Sequence, residues 1–233
     1  MSLPIFYLES IDHDASSFFL NEETSKHIIQ VLRMTTGEQL QLTDGKGYLL
    51  LAEITDDNRK KCGVKKISGE FAVPKSKKVS IAISPVKNNS RFEWFLEKAT
   101  EIGVSEIIPL ICDRTEKQHF RTDRMRSILV SAMLQSKQTW LPVLQEPTRL
   151  ETIIKNAGHT QKLIAHCESH DLKNQLRDIV NEDSSIILIG PEGDFTSKEI
   201  LTAKENNFTA VALGNTRLRT ETAGVYAAVL LCV

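Results

Sequence analysis

The sequence predicts an α/β chain in which a parallel-sheet domain follows a smaller, mostly β domain. Three observations carry that prediction. Beyond residue 73, strand-like and helix-like segments alternate, the pattern of a parallel sheet with crossover helices. Before it, short strand-like runs are divided by turn residues. Finally, two apolar runs, 186–189 and 208–213, each open into a glycine-bearing loop, where sheets of this kind bind ligands.

In the first domain, spans 4–8, 38–42, 48–54 and 62–67 read as strands. Asp44-Gly45 and Asp56-Asp57-Asn58 give turn signals, and Gly45-Lys46-Gly47 reads as a hairpin turn. One helix, 22–32, is expected to bury Ile28, Val31 and Leu32 on one face. Such a unit can close as a barrel. The stretch 71–78 holds a proline and three lysines between patterned segments, which divides the chain into domains 1–72 and 73–233.

The second domain begins with strand 79–84. Ser90-Arg91-Phe92-Glu93 reads as a capping box opening a helix to 102. Strand 107–111, a long helix 123–138, a short helix 150–156, strand 162–166 and a helix 172–181 follow. Strand 185–189 is apolar enough to be central. Thr196-Ser197-Lys198-Glu199 is a second capping box, strand 208–213 closes the sheet, and helix 221–233 ends the chain.

Bulk properties narrow the function. A length of 233 residues with 41% hydrophobic residues can fill one large core or two small ones. No apolar run approaches the roughly 18–20 residues of a membrane span, and the N-terminus lacks a charged-then-apolar signal. Cysteines 62, 112, 167 and 232 are scattered, so neither a disulfide framework nor a zinc ribbon is expected, and a reducing cytoplasm is. The net charge is −1, but residues 76–150 carry 12 Lys/Arg against 8 Asp/Glu. Arg114, Lys117, His119, Arg121, Arg124 and Arg126 crowd together there, either a surface for RNA or a solvated loop and helix face.

The two late loops carry most of the chemistry. Gly190-Pro191-Glu192-Gly193 follows the first apolar run, and Leu213-Gly214 leads into Arg217-Leu218-Arg219-Thr220-Glu221-Thr222-Ala223. There is no G-x-x-x-x-G-K-[ST], so the expected ligand is small and not held by a phosphate cradle. His166-Cys167-Glu168-Ser169-His170 clusters soft ligands, but with no second ligand pair elsewhere a metal site is not expected. Glu97 and Glu101 lie on one helix face, either solvated or, with Arg91, Glu93 and Lys98, reaching the site.

Those two loops, with residues 90–109 and with His27 and Val31-Leu32-Arg33, resemble the RsmE-type ribosomal RNA methyltransferases of the SPOUT superfamily. The resemblance spans nearly the whole chain, and the seven residues from Arg217 to Ala223 are its most specific part. It implies a SPOUT-type domain with a C-terminal trefoil knot, preceded by a PUA-like β-barrel that grips RNA. It further implies a cytoplasmic homodimer that transfers methyl from S-adenosylmethionine to N3 of a uridine in small-subunit (16S) ribosomal RNA, free or in the 30S subunit. A methyl on a sulfonium is already activated, so the protein's task is chiefly positioning, with no metal needed.

Carried onto this chain, Arg219 would stabilise the developing uracil anion, with Arg217 as alternative cation, and Glu221 would orient Arg219 or contact the substrate. Otherwise Thr220 caps the last helix, Glu221 complements its dipole and the arginines face solvent. Cofactor contacts are expected from His166, Gly190, Pro191, Glu192, Gly193, Leu213, Gly214, Leu218, Thr220, Thr222 and Ala223. RNA contacts are expected from Arg33, Arg91, Arg114, Arg121, Arg124 and Lys137. Two positions depart from the family pattern. Asp194 stands where a second glycine is usual, free to meet the cofactor's ammonium, cap the next helix or crowd the site; and Leu134-Gln135-Ser136-Lys137-Gln138 lacks the usual Glu and Arg. The rival readings are a non-catalytic RNA-binding ribosome assembly factor, and the same chemistry on another RNA.

Overall fold

The computed structural model describes residues 3–116, 120–168, 173–180 and 182–233. Two compact units emerge: residues 1–74 with 133–141, and residues 75–132 with 142–233. The first unit thus takes in a segment that the sequence pattern assigns to the second.

In the first unit, β1 (Ile5–Tyr7), β2 (Ser17–Phe19), α1 (Glu22–Lys26), β3 (Gln39–Thr43), β4 (Tyr48–Asp56) and β5 (Gly63–Phe71) form a sheet in the order β1-β3-β4-β5-β2. Only β1–β3 is parallel. Inward residues at alternate positions, among them Leu40, Leu42, Leu50, Ala52, Ile54 and Val64, make the core, as period-2 side chains require. Asn21 caps α1 by accepting the Thr24 N–H at 2.8 Å. The helix then continues as a π-helical turn, His27–Val31, with the Leu32 N–H on the His27 carbonyl at 3.0 Å. That wider turn overturns the expected helical face: Ile28 is buried, but Val31 and Leu32 are exposed, because a 3.6-residue period no longer applies. The short β2 carries no sequence signal.

The second unit comprises β6 (Lys78–Ile83), α2 (Asn89–Ile102), β7 (Glu106–Ile111), α3 (Thr122–Gln135), β8 (Val143–Leu144), β9 (Thr148–Arg149), α4 (Leu150–Asn156), β10 (Gln161–Ala165), β11 (Asn174–Gln175), α5 (Leu176–Ile179), β12 (Ser184–Ile189), α6 (Ser197–Glu205), β13 (Thr209–Ala212) and α7 (Thr220–Cys232). The last three residues of α3 belong to the first unit. The sheet order is β11-β13-β10-β12-β6-β7-β8, with β9 also on β7, and every pairing is parallel. One face packs Ala82, Ile186 and Leu188 beneath α4 and α6. The other meets α7, which packs on β6, β12 and α2. Gly224 permits that approach, since a Cβ there would sit 2.7 Å from both Ile83 and the Phe95 ring.

Other local expectations are corrected. Helix α2 starts at Asn89 with Asn88 as its cap, so Ser90 already lies inside the helix, and Glu93 pairs with Arg124 instead of closing a box. Helix 172–181 shrinks to four residues after the short β11, and its expected ends, Leu172 and Asn181, lie outside the described residues. The second capping box is present as read: Thr196 and Glu199 bond reciprocally at the start of α6.

Candidate active site

Because all strands are parallel, the loops after Ala165, Ile189 and Ala212 leave the sheet on its carboxyl edge, and β10 lies between β12 and β13, so the three loops are neighbours. Between them is a cleft of about 370 Å³, lined by Ala165, Cys167, Ile189, Gly190, Pro191, Glu192, Asp194, Leu218, Arg219, Thr220 and Ala223, together with Arg91 and Arg217. A second opening of about 430 Å³ adds His166, Lys173, Leu213, Gly214 and Thr216 and shares Ala165, Cys167, Ile189, Arg217, Leu218 and Ala223 with the first. The two are parts of one cleft with aliphatic walls and strand-end backbone.

Hydrogen bonds lock the loops to one another. The buried Thr220 hydroxyl donates to the Gly190 carbonyl at 3.1 Å, tying the start of α7 to the loop after β12. Asp194 adopts φ 62°, and its carboxylate accepts the Cys167 N–H at 2.8 Å, joining the loops after β10 and β12. It therefore neither caps α6 nor points loosely into the cleft. Arg114 donates to the Gly193 carbonyl at 2.8 Å, and Lys173 to the His166 carbonyl at 2.7 Å. Gly214, at φ 111°, holds a backbone conformation L side chains avoid, and a Cβ there would meet no atom within 4 Å. Gly190 has a different reason: its Cβ would crowd the Phe195 ring at 3.0 Å. Behind the site, burial pushes the Cys112 thiol up, so it stays protonated at neutral pH.

A third cavity, about 600 Å³, is lined by Ser90, Arg91, Trp94, Arg217, Leu218, Arg219, Glu221 and Thr222. Glu221 is buried in the first turn of α7, with Oε1 3.8 Å from Arg91 Nε, while Oε2 has no hydrogen-bond partner among the described residues. The carboxylate pairs with Arg91, and no ion pair joins it to Arg219 among the described residues. Arg219 occupies the cap position of α7 without a side-chain cap bond, which corrects the reading of Thr220 as cap.

Of the sequence-predicted cofactor residues, Gly190, Pro191, Glu192, Leu218, Thr220 and Ala223 line the first cleft, and His166, Leu213 and Gly214 line its extension. Thr222 lies in the third cavity, and Gly193 lines none of the three, its carbonyl being held by Arg114. Among the RNA candidates, Arg91 lines the cleft, and Arg33, Arg121 and Lys137 are exposed. Arg124 grips Glu93 through two bonds of 2.5 and 2.9 Å, which hold the Glu93 carboxyl below its usual range. Lys117, His119, Ser169 and His170 lie outside the described residues. Sequence reading missed Trp94, whereas Cys167 belongs to the 166–170 segment that the sequence singles out. Trp94 sits beside the expected Arg91-Glu93 pair, but its helix position alone gives no sign of a site.

The chain matches an RNA methyltransferase domain family over residues 73–232 and an RNA methyltransferase PUA domain family over residues 20–67. A crystal structure of a probable rRNA-methyltransferase from Porphyromonas gingivalis is 37% identical with a TM-score of 0.91, covering 97% of this chain and 95% of that one. The ribosomal RNA small subunit methyltransferase E of Neisseria gonorrhoeae, crystallised with S-adenosyl methionine, is 26% identical with a TM-score of 0.83, covering 97% and 95%. The ribosomal RNA small subunit methyltransferase E of Buchnera aphidicola is 28% identical over 97% of this chain and 91% of its own length.

Proposed function

The chain belongs to the RNA methyltransferase family, and from that premise we propose that it methylates N3 of a uridine in 16S ribosomal RNA, using S-adenosylmethionine. The observation that carries this reading is the convergence of three neighbouring strand-end loops on one cleft, with Leu218, Arg219 and Thr220 of the family's most specific motif on its wall.

The cleft fits the cofactor's chemistry. Ile189, Ala165, Leu218 and Ala223 offer apolar walls for a nucleoside, and the open space over Gly214 leaves room beside the backbone. Glu192 and Asp194 put acidic groups beside a ligand that carries a sulfonium and an ammonium. When bound, S-adenosylmethionine supplies an activated methyl group. The protein's own residues deal with the acceptor: Arg219 steadies negative charge on the base as its ring N–H is lost, an electrostatic role fixed before reaction. Glu221 Oε2 takes that proton, being a buried carboxylate oxygen without a partner among the described residues.

The finer features extend the same reading. A trefoil knot is supported by β12 lying between β6 and β10 while α7 packs back over β6 and β12. Exposed Tyr226 and Val229 on α7, with Val233 just after it, favour a homodimer. Arg33, Arg121 and Lys137 are the exposed cations offered to RNA phosphates in the 30S subunit. The reaction belongs in the cytoplasm, where ribosomes are assembled.

Mass mapping of 16S ribosomal RNA after incubation with protein and cofactor should find one new methyluridine. A raised melting temperature with S-adenosylhomocysteine, but no modified nucleotide in any RNA tried, would sink the catalytic reading. Failure to bind the nucleoside at all would favour the non-catalytic assembly factor.

A further inference from the structure

Methyl transfer needs an acceptor within about 3–3.5 Å of the donated carbon, so the acceptor pocket must adjoin the cofactor cleft. The 430 Å³ extension of the cleft and the 600 Å³ cavity both share walls with its first part. The 430 Å³ opening shares strand-end backbone and aliphatic side chains, the surroundings of a nucleoside. The 600 Å³ cavity shares Arg91, Arg217, Leu218 and Arg219 and is otherwise built from side chains of α2 and the first turn of α7. On the reading that the protein methylates uridine, we infer that this second cavity holds the acceptor base and that Trp94 is the surface on which the base stacks.

Trp94 is the residue least explained by the fold. Helix α2 spends its apolar face on Phe92, Phe95, Leu96 and Ala99, all buried. Trp94 lies off that face and is 43% exposed, so the core does not require an indole there. A large flat ring at the mouth of a cavity lined by guanidinium groups is the combination that binds extruded bases: the ring takes the base face and the cations take the backbone. The polar lining of the cavity is selective. Uracil presents an N–H between two carbonyls, and the cavity lining presents the Glu221 carboxylate, paired with Arg91, and Arg219. Cytosine has a lone pair at that ring nitrogen and would face the carboxylate unfavourably. Trp94 is thus a positioning residue, and Glu221 with the arginines sets the choice of base.

The test uses the full-length protein with Trp94→Ala, Trp94→Leu and Trp94→Phe. Trp94→Ala and Trp94→Leu should lower kcat/KM for ribosomal RNA by about 5- to 150-fold, the range for loss of one stacked base, and leave S-adenosylhomocysteine affinity unchanged by calorimetry. Trp94→Phe should recover most of the activity, since a flat ring remains. A uridine-containing ribosomal RNA oligonucleotide, added with S-adenosylhomocysteine, should quench tryptophan fluorescence more in the wild type than in Trp94→Phe, a difference that reports Trp94 alone. Should Trp94→Ala misfold, the contrast between Leu and Phe decides. Wild-type activity in both the Ala and Leu variants, a parallel loss of cofactor affinity, or equal quenching overturns the pocket. A wild-type protein that binds the nucleoside but methylates no uridine overturns the enzymatic reading itself, and the pocket with it.

Discussion

The two edges of the parallel sheet treat their polar groups in opposite ways. At the amino edge side chains of neighbouring strands and loops pair with one another, with His159 Nδ1 left over. Ser80 donates to Glu106 at 2.6 Å and lies 2.9 Å from His159 Nε2, Gln145 donates to the other Glu106 oxygen at 2.6 Å, and Ser185 donates to Gln161 at 3.0 Å. At the carboxyl edge, Glu221 keeps an oxygen without a partner, and neither Arg217 nor Arg219 makes an ion pair among the described residues. An unsatisfied buried carboxylate oxygen costs about 1–3 kcal/mol or more unless something binds it. The difference teaches where the ligand belongs: the amino edge joins its side chains across strands, whereas the carboxyl edge, its loops already tied by Thr220, Asp194, Arg114 and Lys173, keeps Glu221, Arg217 and Arg219 in reserve.

The largest expected effect tests that division directly. Arg219→Ala should lower kcat by about 10²–10³-fold, as loss of a group that stabilises charge in the transition state does. Its melting temperature should stay near wild type, because the Arg219 side chain makes no ion pair or capping bond among the described residues. Activity near wild type, or unfolding in place of inactivity, would break the comparison.

An intermediate effect is expected at Asp194, which belongs to the carboxyl edge but behaves like the other one. Asp194→Gly relieves a left-handed backbone costing about 1–2 kcal/mol but removes a charged acceptor worth about 1.5–3 kcal/mol to the Cys167 N–H. The balance leaves stability little changed, while the loop after β10, no longer tied to the one after β12, should lower cofactor affinity a few-fold by calorimetry. A much tighter variant would mean that the carboxylate crowds the cleft and is not a brace.

The same contrast explains what could be read from the chain. The first cleft is built largely from strand-end loops, and such loops leave local marks, such as glycines after apolar runs, so the sequence points to many of the residues that the cleft gathers. The other cavity joins residues 217–219 and the start of α7 to side chains of α2, more than a hundred residues away, and Trp94 has no local pattern that marks it. Strands β2, β8, β9 and β11 were invisible for a related reason: at two or three residues each, they are fixed by neighbours and not by periodicity. The π-helical turn at His27–Val31 broke the one helical face the first domain offered. Asn88 likewise took the capping role assigned to Ser90, because either residue type can cap and only the backbone decides which does.

The smallest effect sharpens the comparison from the amino edge. Ser80 gives its proton to Glu106, so the short contact to His159 is a donation from Nε2–H, which leaves Nδ1 buried and without a partner among the described residues. Protonating Nδ1 would put an unpaired cation there, and burial accordingly holds the His159 pKa below its ordinary value of about 6.5, although the Glu106 charge pulls the other way. A group with a depressed folded pKa leaves the unfolded chain binding more protons as pH falls, so this contribution to stability is complete above about 6.5 and is lost as pH drops towards the folded value. His159→Gln retains a donor for Ser80 but cannot titrate. In urea unfolding at about pH 7.5 and 5.5, the wild type should lose more stability on acidification than the variant, while methylation and cofactor affinity at neutral pH stay unchanged. Equal acid losses would show that His159 is not the group that titrates, and reduced methylation would show that the two edges are not separate.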